Sequence, residues 1–113
     1  MQYMLLIYES DAAAAKRSRL EQAGIFQRSL NQDLSSTGKR IGGSPLQPAA
    51  TATTVRSRDG KTLTTDGPFA ETKEQLGGYW LIDVVDLDEA IAIAALIPTA
   101  QWGPVEVRPL MGG

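Results

Sequence analysis

The stretch that most constrains the fold is Leu76-Gly77-Gly78-Tyr79-Trp80-Leu81-Ile82-Asp83-Val84-Val85. Successive side chains of a strand point to opposite faces, so Trp80, Ile82 and Val84 lie on one side and Tyr79, Leu81 and Val85 on the other. Both faces therefore require apolar cover. Met4-Leu5-Leu6-Ile7-Tyr8 makes the same demand near the start of the chain and ends at polar Glu9-Ser10-Asp11. With 113 residues and 12.1 kDa, the chain holds a single domain, residues 1–113, and no Pro/Gly/Ser-rich linker divides it.

The remaining elements follow from periodicity. From Asp11 to Ser36 there is no proline, the start is alanine-rich, and Leu20, Ala23, Phe26, Leu30 and Leu34 recur three or four apart, which predicts an amphipathic helix. Ser10 or Asp11 would cap it, Gly38 and the Gly42-Gly43 pair would end it, and Gly24 inside it costs about 1 kcal/mol and invites a bend. Lys39 to Ala50, with Gly42, Gly43, Pro45 and Pro48, reads as an irregular edge strand or an extended loop. Thr51–Arg58 and Lys61–Thr65 are β-branched runs flanking Asp59-Gly60, a pair that tolerates the positive φ of a tight hairpin turn. Asp86-Leu87-Asp88-Glu89 reads as a capping box, with Asp86 accepting from a helical amide and Glu89 reaching back. It opens a second helix running to about Ile97 and stopped by Pro98. Val105-Glu106-Val107-Arg108-Pro109-Leu110 alternates as a last strand, near an edge because Pro109 cannot donate.

This order predicts an α+β fold: a ferredoxin-like antiparallel sheet with two helices on one face. Two helices leave the other face of the two-sided strands bare, and a second subunit is the simplest cover, giving a homodimer.

Composition narrows the chemistry. The chain contains neither Cys nor His, so it offers no thiolate, disulfide, Fe–S cluster, His-based triad or His/Cys zinc site, and no cofactor is expected. Thirteen acidic against eleven basic side chains supply no broad footprint for phosphate backbones, so nucleic acid is not an expected partner. The apolar run at the N-terminus lacks a basic flank and is too short for a signal peptide or membrane span, so the expected location is cytoplasmic.

Asp66-Gly67-Pro68-Phe69-Ala70-Glu71-Thr72-Lys73-Glu74 gathers four charges around a Gly-Pro turn just before the central strand. Asp66 and Glu71 are the candidate catalytic residues, a carboxylate pair able to exchange a proton if burial or mutual repulsion raises one pKa, with Lys73 steadying an anion. Gly67, Pro68, Phe69, Lys73, Tyr8 and Tyr79 complete the candidate ligand-binding set. A plain structural reading competes with this one: Asp66 caps the turn by bonding backbone amides, Glu71, Lys73 and Glu74 are solvated, and the tyrosines pack. Trp80 and Trp102 read as core or contact residues, and Lys16, Arg17 and Arg19 as a solvated helix face. Asp83, Asp86, Asp88 and Glu89 are explained in part by capping, and no metal site is expected.

The same nine residues resemble the motif of the YCII-related proteins, in particular the branch marked by Asp-Gly-Pro-Phe (DGPF). The likeness extends to Tyr3–Tyr8, Leu46-Gln47-Pro48, Thr51–Arg56, Gly77-Gly78-Tyr79 and Val105–Pro109, and so covers most of the chain. The resemblance implies a dimeric α+β barrel with a cleft between helices and sheet, and a family without established activity. A His-Asp pair proposed as catalytic in some YCII-related proteins has no counterpart in a chain without histidine. Proteins similar to this one are often encoded beside extracytoplasmic-function sigma factors, which implies a sigma factor as an alternative partner for a non-catalytic regulatory module. Enzyme and binder both remain open at this point.

Overall fold

The structure, a computed structural model, describes residues 1–10, 30–101 and 103–112. Its strands are β1 (Gln2–Ser10), β2 (Arg40–Pro45), β3 (Thr53–Arg58), β4 (Lys61–Asp66), β5 (Glu74–Asp83) and β6 (Val105–Pro109). Residues 30–36 are helical (α1) and Leu87–Leu96 forms α2. The rest of the expected first helix, including Leu20, Phe26, Gly24, the basic cluster and the cap at Asp11, lies outside the described residues, as does Trp102.

Four strands form one sheet in the order β2-β5-β1-β6, every neighbouring pair antiparallel. This α+β arrangement is consistent with a ferredoxin-like fold, with the β3–β4 hairpin inserted between β2 and β5. Of the Lys39 to Ala50 segment that sequence left between strand and loop, Arg40–Pro45 is a strand at the sheet edge, where Pro45 at its end costs no ladder bond, and the residues after it are not. Glycine lets it approach β5 closely: at Gly43, with φ +146°, a Cβ would collide with the Tyr79 carbonyl. β6 takes the opposite edge, as Pro109 requires.

The core lies on one face of this sheet. Tyr3, Leu5 and Ile7 of β1, Trp80 and Ile82 of β5, and Val84 just beyond pack against Ala90, Ile93 and Ala94 of α2 and the following Ile97. Leu30 and Leu34 of α1 and Val105 and Val107 of β6 close the margin, so both helices cover the same face. Each fully buried Leu or Ile here contributes about 1.5–3 kcal/mol of transfer free energy. The Arg40 guanidinium stacks 5.1 Å from the centre of the Trp80 ring.

Asp86 caps α2, its carboxylate accepting from the Glu89 amide at 2.9 Å. Glu89 does not complete the expected box. Its carboxylate instead pairs with Lys39 at 3.2 Å, tying the helix to the start of β2. Val85, expected to complete the outward row with Tyr79 and Leu81, lies beyond the end of β5 and is exposed, and the row ends instead at Asp83.

The hairpin stands apart from this core. Asp59 (φ 51°) and Gly60 (φ 74°) both take positive φ, as the tight turn demands. β3 and β4 pair only with each other and are almost wholly exposed. The radius of gyration is 15.7 Å, against about 13 Å for a compact chain of this length.

Candidate functional site

The other face of the sheet carries the first part of the site. Residues opposed across an antiparallel pair share a face, and the register sets Met4 opposite Leu81, Leu6 opposite Tyr79 and Tyr8 opposite Leu76. Between Ile7 and Tyr8 the register slips, and Gly77 is the extra residue of the resulting bulge. A Cβ there would come within 2.6 Å of the Glu9 carboxylate, so a larger residue would require that side chain to swing aside. Tyr8 shares a face with Leu6 by the alternation of β1, and the bulge in β5 brings Leu76 onto that face opposite it. Pro104 holds the Tyr8 backbone from the other side, its carbonyl accepting from the Tyr8 amide at 3.1 Å. Met4, Leu6, Tyr8 and Leu81 are half-buried, whereas Tyr79 and Leu76 are exposed.

β6 adds two residues that sequence reasoning assigned no role. Glu106 opposes Leu6 and Arg108 opposes Met4, so an acid and a base enter the open face beside apolar β1, where they form an ion pair. The alternation Val105-Glu106-Val107-Arg108 was their only signal, and its polar half reads equally as solvent-facing until the strand order is known.

The second part is the loop that follows β4. Gly67 takes φ +93°, which favours glycine, and both of its backbone groups are used: its amide donates to the Ala52 carbonyl at 2.6 Å and its carbonyl accepts from the Thr54 hydroxyl at 2.8 Å. Gly67 thereby closes the root of the hairpin, and Pro68 fixes the chain direction beyond it. The expected cap by Asp66 is absent: its carboxylate accepts no hydrogen bond among the described residues, and the Gly67 backbone does that work instead. Downstream, the Gln75 amide nitrogen donates to the carbonyls of Ala70 (3.0 Å) and Thr72 (3.2 Å), which holds the loop against the start of β5.

The side chains of Asp66, Phe69, Glu71 and Lys73 all lie exposed, and Gly67 and Pro68 are half-buried. Phe69 is notable, because an aromatic ring 80% exposed gains nothing from the core of its own subunit. Tyr8 and Tyr79 are brought onto one face, while no hydrogen bond or ion pair joins them to the loop side chains among the described residues. Loop and tyrosines are linked through the backbone: the loop runs directly into the strand that carries Leu76 and Tyr79. No group of His, Cys, Asp and Glu suited to a metal ion occurs among the described residues. None of the helices described there is long and apolar enough to cross a membrane.

Comparison with known proteins places these features in a family. The YCII-related domain model matches residues 1–112. A relative from Rhizobium meliloti (strain 1021), named "Uncharacterized protein R00369", is 37% identical over 114 residues, which is 97% of this chain and 92% of the relative. A match of that extent covers the two-faced strands, the hairpin and the loop at 66–74 together, and the chain belongs to the YCII-related domain family.

Proposed function

We propose that this chain is a homodimer of the DGPF branch that binds a small organic molecule between its subunits. Asp66 and Glu71 are the groups available for acid/base turnover of that molecule. The observation that carries the reading is the open face of the sheet: Met4, Leu6, Tyr8, Leu76, Tyr79 and Leu81 form a contiguous apolar surface that no element of the same chain covers among the described residues. Packing two such faces yields a dimeric α+β barrel and removes both from water, each apolar Å² contributing about 25 cal/mol before the costs of association. Tyr8, Tyr79 and the Glu106–Arg108 pair then become polar points in an otherwise apolar enclosure, the usual make-up of a small-molecule site.

In this reading the loop at 66–73 forms the mouth of the enclosure. Gly67 and Pro68 shape it, Phe69 supplies an apolar contact, and Lys73 offers a cation to an anionic ligand. A partner subunit that covers Asp66 or Glu71 would bring the carboxylate against the bound molecule, within reach of a proton it could accept or return.

The test is a ligand screen by thermal shift on the wild type and on an Asp66→Asn/Glu71→Gln double variant. Ligands that stabilise the wild type should lose most of their shift in the variant, whose own melting temperature stays within about 2 °C because surface substitutions cost little. A variant that retains every shift refutes the site. Stoichiometric co-purification with a sigma factor, without any ligand response, would favour the regulatory module instead.

A further inference from the structure

The β3–β4 hairpin sorts its side chains by chemistry in a way the site above does not use. Its register pairs Thr54 with Thr65, Arg56 with Leu63 and Arg58 with Lys61, and these residues share one face. The opposite face holds Thr53, Val55, Ser57, Thr62, Thr64 and Asp66. All three basic residues of the hairpin are therefore on one side. Arg56 and Arg58 lie about 7 Å apart along the strand, and Lys61 stands directly across from Arg58 at the tip.

Like charges placed directly opposite one another weaken a hairpin, and a lone two-stranded hairpin is marginal in water to begin with. None of the three cations has an ion-pair partner among the described residues, and Val55 and Leu63 are exposed as well. The element as seen in one copy is thus lacking on two counts, charge and apolar cover.

The same chain holds the complement. The hairpin carries Arg56, Arg58 and Lys61 against Asp59 and Asp66, a net charge of +1, so the remainder of a chain with thirteen acidic and eleven basic side chains is net −3. Glu9 near the end of β1 and Glu74 at the start of β5 project from opposite faces of the sheet, Glu9 opposing Gln75 and Ser10 opposing Glu74, with Glu71 in the loop just upstream, and none of these carboxylates makes an ion pair among the described residues. Bases and acids left unpaired among the described residues of one copy are available to pair between copies.

We infer that the β3–β4 hairpin is an arm that grips a second copy of this chain, its basic face of Arg56, Arg58 and Lys61 meeting acidic side chains of the other body. The inference rests on the homodimer reading and adds to it: the sheet faces supply apolar burial, and the arms supply electrostatic attraction and fix orientation.

Sedimentation equilibrium of the full chain between about 50 and 500 mM NaCl tests it, since these conditions shorten the Debye length several-fold. The wild-type dimer should weaken with salt. An Arg56→Glu/Arg58→Glu/Lys61→Glu variant should dissociate at least about tenfold more readily at low salt, roughly 1.4 kcal/mol. Mixing it with a Glu9→Lys/Glu71→Lys/Glu74→Lys variant should restore association. A salt-independent wild-type dimer, or arm and body variants that associate as the wild type does, overturns the arm while leaving the sheet-face dimer standing. A monomeric wild type overturns both. Retardation of duplex DNA that needs the three basic residues, with dimer affinity unchanged in the arm variant, would assign the arm to nucleic acid instead.

Discussion

The two faces of the central sheet are built from alternate residues of the same strands, and they meet different fates. On β1, Tyr3, Leu5 and Ile7 are buried beneath the helices, while Met4 and Leu6, as apolar as their neighbours, are only half covered. On β5, Trp80 is 3% exposed and adjacent Tyr79 is 36% exposed. The contrast comes from the supply of cover and not from the side chains. An antiparallel sheet with one solvated face normally alternates apolar and polar residues, and these strands do not. Their composition answers to an environment that no element among the described residues provides.

That comparison can be broken by mutation. Leu5→Ala should destabilise the protein by about 2–5 kcal/mol at every protein concentration, because it opens a cavity among residues that cannot collapse onto it. Leu6→Ala, one position along, should cost under about 1 kcal/mol in dilute solution and more as concentration rises, measured by urea denaturation across a dilution series. Equal, concentration-independent losses for both would erase the distinction between the faces.

A smaller effect sharpens the covered side. Asp86→Ala removes the side-chain cap of α2, and loss of such a cap costs about 1 kcal/mol. Because α2 lies only on the covered face, the loss should appear in denaturation midpoints and leave self-association unchanged.

Much of this fold was legible in the chain. Short runs apolar on both faces marked β1 and β5, alternation marked β6, the Asp59-Gly60 turn marked the hairpin, and Asp86 marked the start of α2. The strand or loop character of β2 was not legible, since Gly42, Gly43 and Pro45 are poor strand formers and the segment is held by its closeness to Tyr79 and Trp80 of β5. Glu89 was misread for a related reason: a capping box is a local pattern, whereas its partner Lys39 is fifty residues away in sequence.

The site divides along the same line. Gly67 was singled out for its turn chemistry, and the structure gives the reason in its positive φ and two backbone hydrogen bonds. The cap expected from Asp66 failed because Ala52 and Thr54, brought near by the hairpin, satisfy the turn without its carboxylate. Glu106 and Arg108 escaped notice because only strand order sets them beside Leu6 and Met4. Local conformation is written in local sequence, whereas neighbours across a sheet are set by topology.

The central claim is that a second copy covers the open face, and the most direct measurement is sedimentation equilibrium of the wild type beside Leu6→Glu at micromolar concentration. The account predicts a dimer for the wild type and a folded monomer for the variant, whose new carboxylate would be buried in the seam directly opposite the Glu106 carboxylate. A stable, fully folded wild-type monomer, or a Leu6→Glu variant that dimerises as tightly as its parent, would contradict it.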